Sequence, residues 1–408
     1  MKIYLKNEFN KLIPENIRKC IEQAGYSAEL SNIKIYLIGG IVRDLILNNA
    51  IKDIDITVEG DAIEFCKKLE QTGNFKVITT QENLKTAKVI YNSDIIIDFA
   101  STREEYYTSG GQLPIADNFG CSLKEDVKRR DFTINTMALN LTGIDKYALV
   151  DYFDGYNDIK KKQIRIIHDK SFMDDPSRII RAIKFQMRFD FDIENKTNTL
   201  MQNYLDSVDN KIPLERIKNE LKQYFSIKKD NIYNNFIDKK IYKLICNKPI
   251  THFNNDRLIE VKNYMDINNL YLVYMVLLLV NSDFDSKRLN LNTNEQKILN
   301  EVKTLLPNYP IDKNDNIKIY NSFVKTSELT PVIYYLITGD ISVFKFWEKL
   351  KYVKVEISGK DLINLGYPPS CLFGKLFKEI IKLKLNGKII TKEDEIKFAI
   401  NYLKGYSE

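Results

Sequence analysis

Histidine is nearly missing: His168 and His252 are the only two in 408 residues. Zinc sites and Ser-His-Asp catalysis both lean on imidazole, so any metal site here must be built from carboxylates, which favour hard cations such as magnesium. The five cysteines (Cys20, Cys66, Cys121, Cys246, Cys371) are odd in number, far apart and form no CxxC. That is the pattern of reduced structural thiols in a cytoplasmic protein, not of a disulfide scaffold. No apolar run is long enough to span a membrane. The longest, YLVYMVLLLV at 271–280, is about half of the ~20 residues needed and reads as a core helix. The opening residues are polar and helix-like, so no signal peptide is expected. Nor does one sign of charge dominate: a net +6 permits a polyanionic partner without demanding one.

What is present describes a soluble globular chain, 44% apolar and 28% charged, long enough for roughly two to four domains. Up to residue 168, IKIYLIGG, DIDITV, FKVITT, KVIYN and DIIIDFA read as strands by β-branched content and length. IVRDLILNN, DAIEFCKKLEQTG and DFTINTMALNL read as helices. A Gly-, Ser- and Pro-bearing loop runs from Tyr106 to Ser122, and loops of that length are often functional. From Ser171 onward the spacing is helical: DDPSRIIRAIKFQMRF, PLERIKNELKQYF, RLIEVKNYM, LYLVYMVLLLV, EQKILNEVKTLL and CLFGKLFKEIIKLKL. The expected fold is α+β, with an N-terminal head of a small mixed sheet and helices, followed by an all-α remainder. Lys/Asn/Asp-rich breaks divide it into 1–168, 169–235, 236–335 and 336–408.

The chemistry gathers in IYLIGGIVRDLILNNAIKDIDITVEGD. Strand side chains alternate faces, so Asp53, Asp55 and Thr57 share one face with Ile54, Ile56 and Val58 behind. Two carboxylates about 7 Å apart on one strand face are costly neighbours unless a cation sits between them. Asp98, ending the apolar run of DIIIDFA, is a third candidate, and three carboxylates from two strands suit two-metal phosphoryl or nucleotidyl transfer. An isolated Asp-x-Asp is more often a solvated strand end. Gly39-Gly40 shifts the balance, because it stands between a strand and a helix whose N–H groups can receive phosphate. Arg43 in the first turn can add a fork of donors. The P-loop and GxGxxG patterns are absent.

These residues resemble the head of the nucleotidyltransferase superfamily that includes DNA polymerase beta. More narrowly, they resemble class II tRNA nucleotidyltransferases (CCA-adding enzymes) and bacterial poly(A) polymerases. KRRDFTINTMALNL is similar to that family's RRDFTINAMA motif, SFMDDPSRIIRAIKF to its EDxxR element, and VEISGKDLINLGYPPS to the tail of its bacterial members. The resemblance implies that Gly39, Gly40 and Arg43 hold the triphosphate and that Asp53 and Asp55 bind catalytic Mg2+. Asp98 would help activate the primer 3′-hydroxyl. Arg129, Arg130 and Asp131, with Asn135 one helical turn on, would read ribose and phosphates, although a basic triplet is usually a solvated turn. Asp175 and Arg178, three apart on a helix, would present an acceptor and a donor to one base edge and so select CTP, then ATP, without a template. Arg181 and Lys184 complete the implied nucleotide-binding set. Two departures stand out: Asp174 replaces the family's glutamate, and Lys184 replaces an arginine, keeping charge but losing the fork.

The partners implied are tRNA, through its 3′ end and acceptor stem, with CTP and ATP and no membrane. The regions become a catalytic head (1–168), a base-selecting neck (169–235), a body (236–335) and a tRNA-binding tail (336–408). Lysines at 160–162, 228–229, 239–240 and in KLFKEIIKLKLNGK suit shape-based recognition of an RNA stem. An A-adding enzyme working beside a CC-adding one, or a poly(A) polymerase, shares the same head. A catalytically dead RNA-binding module is disfavoured because every expected carboxylate is present. A small-molecule nucleotidyltransferase would lack RRDFTIN and DDPxR. His168-Asp169 spells an HD pair, but one further histidine is too few for a phosphohydrolase site.

Overall fold

Segments of β-branched residues that alternate between a buried and an open face pair into one sheet in the first half of the chain. The structure is a computed structural model describing residues 2–51, 53–108, 114–208, 214–229, 231–282 and 289–405. It divides into two compact units, 1–220 with 243–245, and 221–242 with 246–408.

In the first unit, α1 (Lys6–Leu12) and α2 (Glu15–Leu30) precede β1 (Lys34–Ile38), α3 (Gly40–Ile46), β2 (Asp55–Glu59) and α4 (Ala62–Glu70). Next come β3 (Phe75–Gln81), β4 (Thr86–Tyr91), β5 (Ile95–Ser101), the short strands β6 (Glu104–Tyr106) and β7 (Ile115–Asp117), and α5 (Leu123–Asp126). Strands β8 (Ala138–Asn140) and β9 (Leu149–Val150) complete a mixed sheet of order β3-β4-β5-β2-β1-β8-β9. In it β2 and β5 run parallel, while the other neighbours run antiparallel. One face is apolar: Ile54, Ile56, Val58, Val89, Ile97 and Phe99 are buried, with the Phe99 ring 5.9 Å from Phe65 of α4. Asp61 caps α4 by accepting the N–H groups of Ile63 and Glu64, which fixes how that helix crosses the sheet.

The unit continues through α6 (Gly155–Lys160), β10 (Gln163–Ile164), α7 (Ser171–Asp174), α8 (Ser177–Phe189), β11 (Asp192–Ile193) and α9 (Asn195–Ser207). Helix α10 (Leu214–Phe225) begins in this unit and ends in the second. The second unit is helical, from 232–238 through 392–404. Its core holds an aromatic cluster of Phe225, Tyr233, Phe253 and Tyr274. A separate apolar cluster of Leu362, Leu376, Ile380, Ala399 and Leu403 organises the C-terminal helices. The α+β expectation thus holds, as does the core helix expected at 271–280, which spans Leu270–Asn281 with residues 271–279 all buried. No described helix is long and apolar enough to cross a membrane.

Three local expectations are corrected. DFTINTMALNL is not a helix: Thr133–Asn135 form one 3-10 turn, and Ala138–Asn140 join the sheet against β1. Phe132, Ile134, Met137 and Leu141 are all buried, so their spacing reflects burial from several sides and not one helical stripe. The local Thr and Asp side chains favour turns by bonding nearby backbone: Thr136 donates to the Thr133 carbonyl, and Asp131 accepts the Phe132 N–H. Asp175 is not on a helix with Arg178. It lies between α7 and α8 in extended backbone, because Pro176 after it disfavours the helical region. The predicted loop from Tyr106 to Ser122 contains β7, paired back onto β6, while its 109–113 portion lies outside the described residues.

Gly155, the first residue of α6, marks the tightest approach behind the 133–137 turn. A Cβ there would stand 2.3 Å from the Thr133 carbonyl oxygen. Gly155→Ala is therefore expected to destabilise the chain by about 1–3 kcal/mol, the usual cost of overpacking, read as a lowered urea midpoint with an unchanged slope.

Candidate active site

The site is built from rows of side chains across the open face of the sheet. Asp55 and Asp98 are register partners in the parallel β2–β5 pair, and Lys88 is the partner of Asp98 across β4–β5. One row therefore reads Lys88, Asp98, Asp55, on strands about 4.8 Å apart, with Lys88 Nζ 3.4 Å from Asp98 Oδ1. Asp53 lies exposed just before β2. Burial, then the neighbouring Asp98 carboxylate, push the Asp55 carboxyl above its usual range; Asp53 adds to this while Arg130 and Lys88 oppose it. Burial is the largest of these effects, and the Asp98 carboxylate is the largest of the neighbouring charges.

Among the described residues, no three His, Cys, Asp or Glu side chains stand close enough to enclose a metal ion. Magnesium does not need such a cage, since it is usually held by one or two carboxylates together with substrate phosphates and water. An oxygen-only donor pair under mutual repulsion fits that ion.

Beside the row, Gly39 has φ +74°, and a Cβ on it would stand 3.1 Å from Arg130 Nη1. Glycine thus permits the turn and lets the Arg130 guanidinium lie over it. The Gly39 N–H is spent on the Met137 carbonyl. Arg43, expected at the same anion, is buried instead. Its Nε and Nη2 donate to Asp44, its Nη1 donates to Asn135 Oδ1 at 2.6 Å, and its guanidinium lies 4.6 Å from the Phe189 ring centre.

Two cavities meet at three arginines. The first, about 540 Å³, is lined by Gly39, Gly40, Asp55, Lys88 and Asp98, and also by Arg103, Arg129 and Arg130. The second, about 660 Å³, shares those arginines and is lined further by Tyr107, Asp131, Asp175, Arg178, Arg181 and Arg216. The fully buried Asp126 carboxylate holds the divide: Oδ1 accepts from Arg129 at 2.8 Å and Oδ2 from Arg130 at 3.3 Å. Glu105 takes Arg103 and the other arm of Arg129. Arg130 Nε is buried without a hydrogen-bond partner among the described residues.

Asp131 is the hub behind the second cavity. It accepts from Asn135 Nδ2 at 3.0 Å and from the Phe132 N–H at 2.8 Å, while Arg181 donates both Nε and Nη2 to its other oxygen. Burial alone would raise its carboxyl, but Arg181 and these hydrogen bonds overrule it and hold it below the usual range. Arg181 and Lys184 both end on Glu220, at 3.0 and 2.6 Å. Lys184 thus faces α10 and does not line either cavity described above.

Asp175 and Arg178 are both buried and face the second cavity. Asp175 Oδ1 accepts from the Ser177 N–H and hydroxyl, and its Oδ2 is 2.5 Å from Arg216 Nη2 and 3.9 Å from Arg178 Nε. Arg178 donates to Ser171 Oγ and to the Arg129 carbonyl. Asp174 turns away toward His168, at 3.8 Å. Arg103, Asp126, Arg216 and Glu220 escaped the reading of the sequence. Only Arg216 and Glu220 carried a signal, four residues apart in a predicted helix.

Comparison with known proteins gives four matches of note. Residues 35–165 match the family described as the Poly A polymerase head domain. An A-adding tRNA nucleotidyltransferase of Geobacter sulfurreducens is 27% identical over 96% of this chain, which spans 48% of that relative's length. Another A-adding tRNA nucleotidyltransferase, of Halalkalibacterium halodurans, is 27% identical over 96% of this chain and 93% of its own. The solved apo form II of a CCA-adding enzyme superposes with a TM-score of 0.80 at 26% identity, covering 98% of this chain and 99% of that one.

Asp131 and Arg181 form a half-buried pair, and removing the carboxylate charge leaves Arg181 poorly matched, so Asp131→Asn is expected to cost about 1–3 kcal/mol at neutral pH. The folded value of Asp131 lies below its unfolded one. Its contribution is therefore complete above the unfolded value and is lost as pH falls through the folded one. Denaturant titrations of both proteins should show the gap closing in acid.

Proposed function

We propose, from the premise that this chain belongs to the class II tRNA nucleotidyltransferase family, that it rebuilds the 3′ end of tRNA. In this reading it adds nucleotides from CTP and then ATP, without a template, and releases pyrophosphate. One observation carries the reading. A carboxylate row and an acceptor–donor pair, Asp175 and Arg178, lie in two cavities joined by the same three arginines. That spacing suits one nucleotide, with its phosphates at the first cavity and its base in the second.

Nucleotidyltransferases of this family generally work with divalent metal ions; here Asp53 and Asp55 would hold Mg2+, which would neutralise the pyrophosphate and lower the pKa of the attacking hydroxyl. Asp98 stands where it can accept the proton of that hydroxyl. Arg130, lying over the Gly39–Gly40 turn with one buried N–H unspent, grips the triphosphate, while Arg43 stiffens the turn from behind. Asp131, held by Arg181, and Asn135 fix the wall against which the ribose rests. Asp175 offers an acceptor and Arg178 donors to the base edge, and Arg216 must yield part of its hold on Asp175 when a base enters. The head (1–168) does the chemistry, the neck (169–235) selects the base, and the body (236–335) and tail (336–408) carry the tRNA. The reading places the protein in the cytoplasm.

The A-adding names of both relatives favour a second reading, in which the chain adds only the final A to tRNA already ending in CC. Incubation with tRNA lacking CCA, supplied with CTP, ATP or both, separates the two. Addition of C and then A supports the main reading, addition of A only to CC-ended tRNA supports the second, and long A tails on unrelated RNA contradict both. Asp55→Ala should lower incorporation by about a thousandfold or more while tRNA binding, measured by filter retention, stays near wild type. Asp175→Ala should instead erode discrimination against GTP and UTP, and unchanged discrimination would remove its base-reading role.

A further inference from the structure

The sheet face that carries the carboxylates continues past them. One step along the strands, a second row reads Lys76, Ile90, Ile96: Lys76 pairs with Ile90 across β3–β4, and Ile90 with Ile96 across β4–β5. Ile96 shares the face of Asp98, two residues on, and is 51% exposed although it lies on an inner strand of the sheet. Ile78, the extra residue at the irregularity between Val77 and Thr79, is 46% exposed on the adjoining ribbon. A lone exposed isoleucine needs no explanation. Here the apolar step adjoins a cationic pair, Lys76 and Lys88, and the carboxylate row itself.

The direction of the reaction says what belongs there. In phosphoryl and nucleotidyl transfer the attacking and leaving oxygens lie roughly in line, on opposite sides of the phosphorus. The Gly39–Gly40 turn follows β1, on one side of Asp55; β5, β4 and β3 lie on the other. With pyrophosphate departing toward the Gly39–Gly40 turn and Arg130, the attacking hydroxyl has to arrive over β5 and β4.

Resting on the nucleotidyl-transfer reading, we propose that Ile96 and Ile90, flanked by Lys88 and Lys76, form the seat of the terminal nucleotide of the acceptor RNA strand. The aliphatic side chains support the ribose and base, and the two ammonium groups meet the last phosphates. Lys88, now 3.4 Å from Asp98, is close enough to both row and strand to hold the carboxylate and the RNA in register. An unpaired RNA 3′ end is the occupant that matches an apolar step bordered by lysines, since single strands are held by contact with base faces and by cations along the backbone.

The test uses the whole chain and tRNA lacking its last nucleotide, with thiouridine as its terminal residue. Ultraviolet cross-linking and peptide mapping should place the adduct within residues 76–98. In steady-state assays, Ile96→Ala and Lys76→Gln should each raise the KM for tRNA about five- to tenfold, with the KM for the nucleoside triphosphate within about twofold. Ile96→Ala should melt within about 2 °C of wild type, as exposed positions do. Cross-links confined to other segments, or an unchanged tRNA KM in both variants, overturn the proposal. A wild-type chain that binds and cross-links tRNA but incorporates nothing would instead count against the proposed reaction.

Discussion

Parallel pairing of β2 with β5 in a single register is the constraint on which the site rests. It sets Asp55 beside Asp98 on the open face and stacks Ile54, Ile56 and Val58 with Ile97 and Phe99 on the closed one. A slip of one residue would bury two carboxylates and expose that apolar set, so the core that stabilises the sheet also enforces the acidic row. The same register leaves Asp55 crowded by like charge in a partly buried place. Burial and like charge together disfavour the ionised carboxyl, and a divalent cation is the natural relief.

Around that row the molecule uses buried and half-buried acids to aim arginines. Asp126 fixes Arg129 and Arg130 at the boundary of the two cavities, Asp131 fixes Arg181, and Glu220 takes Arg181 together with Lys184. Buried ion pairs contribute little net stability compared with apolar packing, but their geometry is specific. The Asp126 pairs are local, but those of Asp131 and Glu220 tie residues 36 to 50 positions apart, so α8 and the start of α10 are locked to the 131–135 turn. The Asp44–Arg43–Asn135–Asp131 chain extends the lock to α3. A cavity bounded by such links holds its donors and acceptors in place before a ligand arrives, the condition for fast phosphoryl chemistry.

The strands and long helices are legible in the sequence because their burial is periodic and because β-branched runs are short and well separated. The carboxylate row is legible for the same reason, since alternation within β2 and the end of an apolar run in β5 are local features. The 131–141 segment is not, because a turn and a strand enclosed on every side carry no single period. The i,i+3 spacing of Asp175 and Arg178 suggests one helix, but Pro176 keeps Asp175 in extended backbone ahead of it. Arg43 and Lys184 carry the right charge at expected positions yet point to Asn135 and Glu220, and no local pattern shows where a long side chain will end. Arg216 and Glu220 meet partners 41 and 39 residues away, a distance at which only the folded chain can show the pairing.

The central claim is that Asp55, with Asp53, handles the α-phosphate of an incoming nucleotide through a bound divalent ion. The most direct measurement is the rate of nucleotide addition to CC-ended tRNA with ATP and with each diastereomer of its α-phosphorothioate, in Mg2+ and in Mn2+. One diastereomer should react far more slowly than ATP in Mg2+ and recover in Mn2+, which accepts sulfur more readily, and Asp55→Asn should abolish the recovery. Equal rates for ATP and both diastereomers in Mg2+, or a defect that Mn2+ leaves untouched, would contradict a metal held by Asp55 at the reacting phosphate.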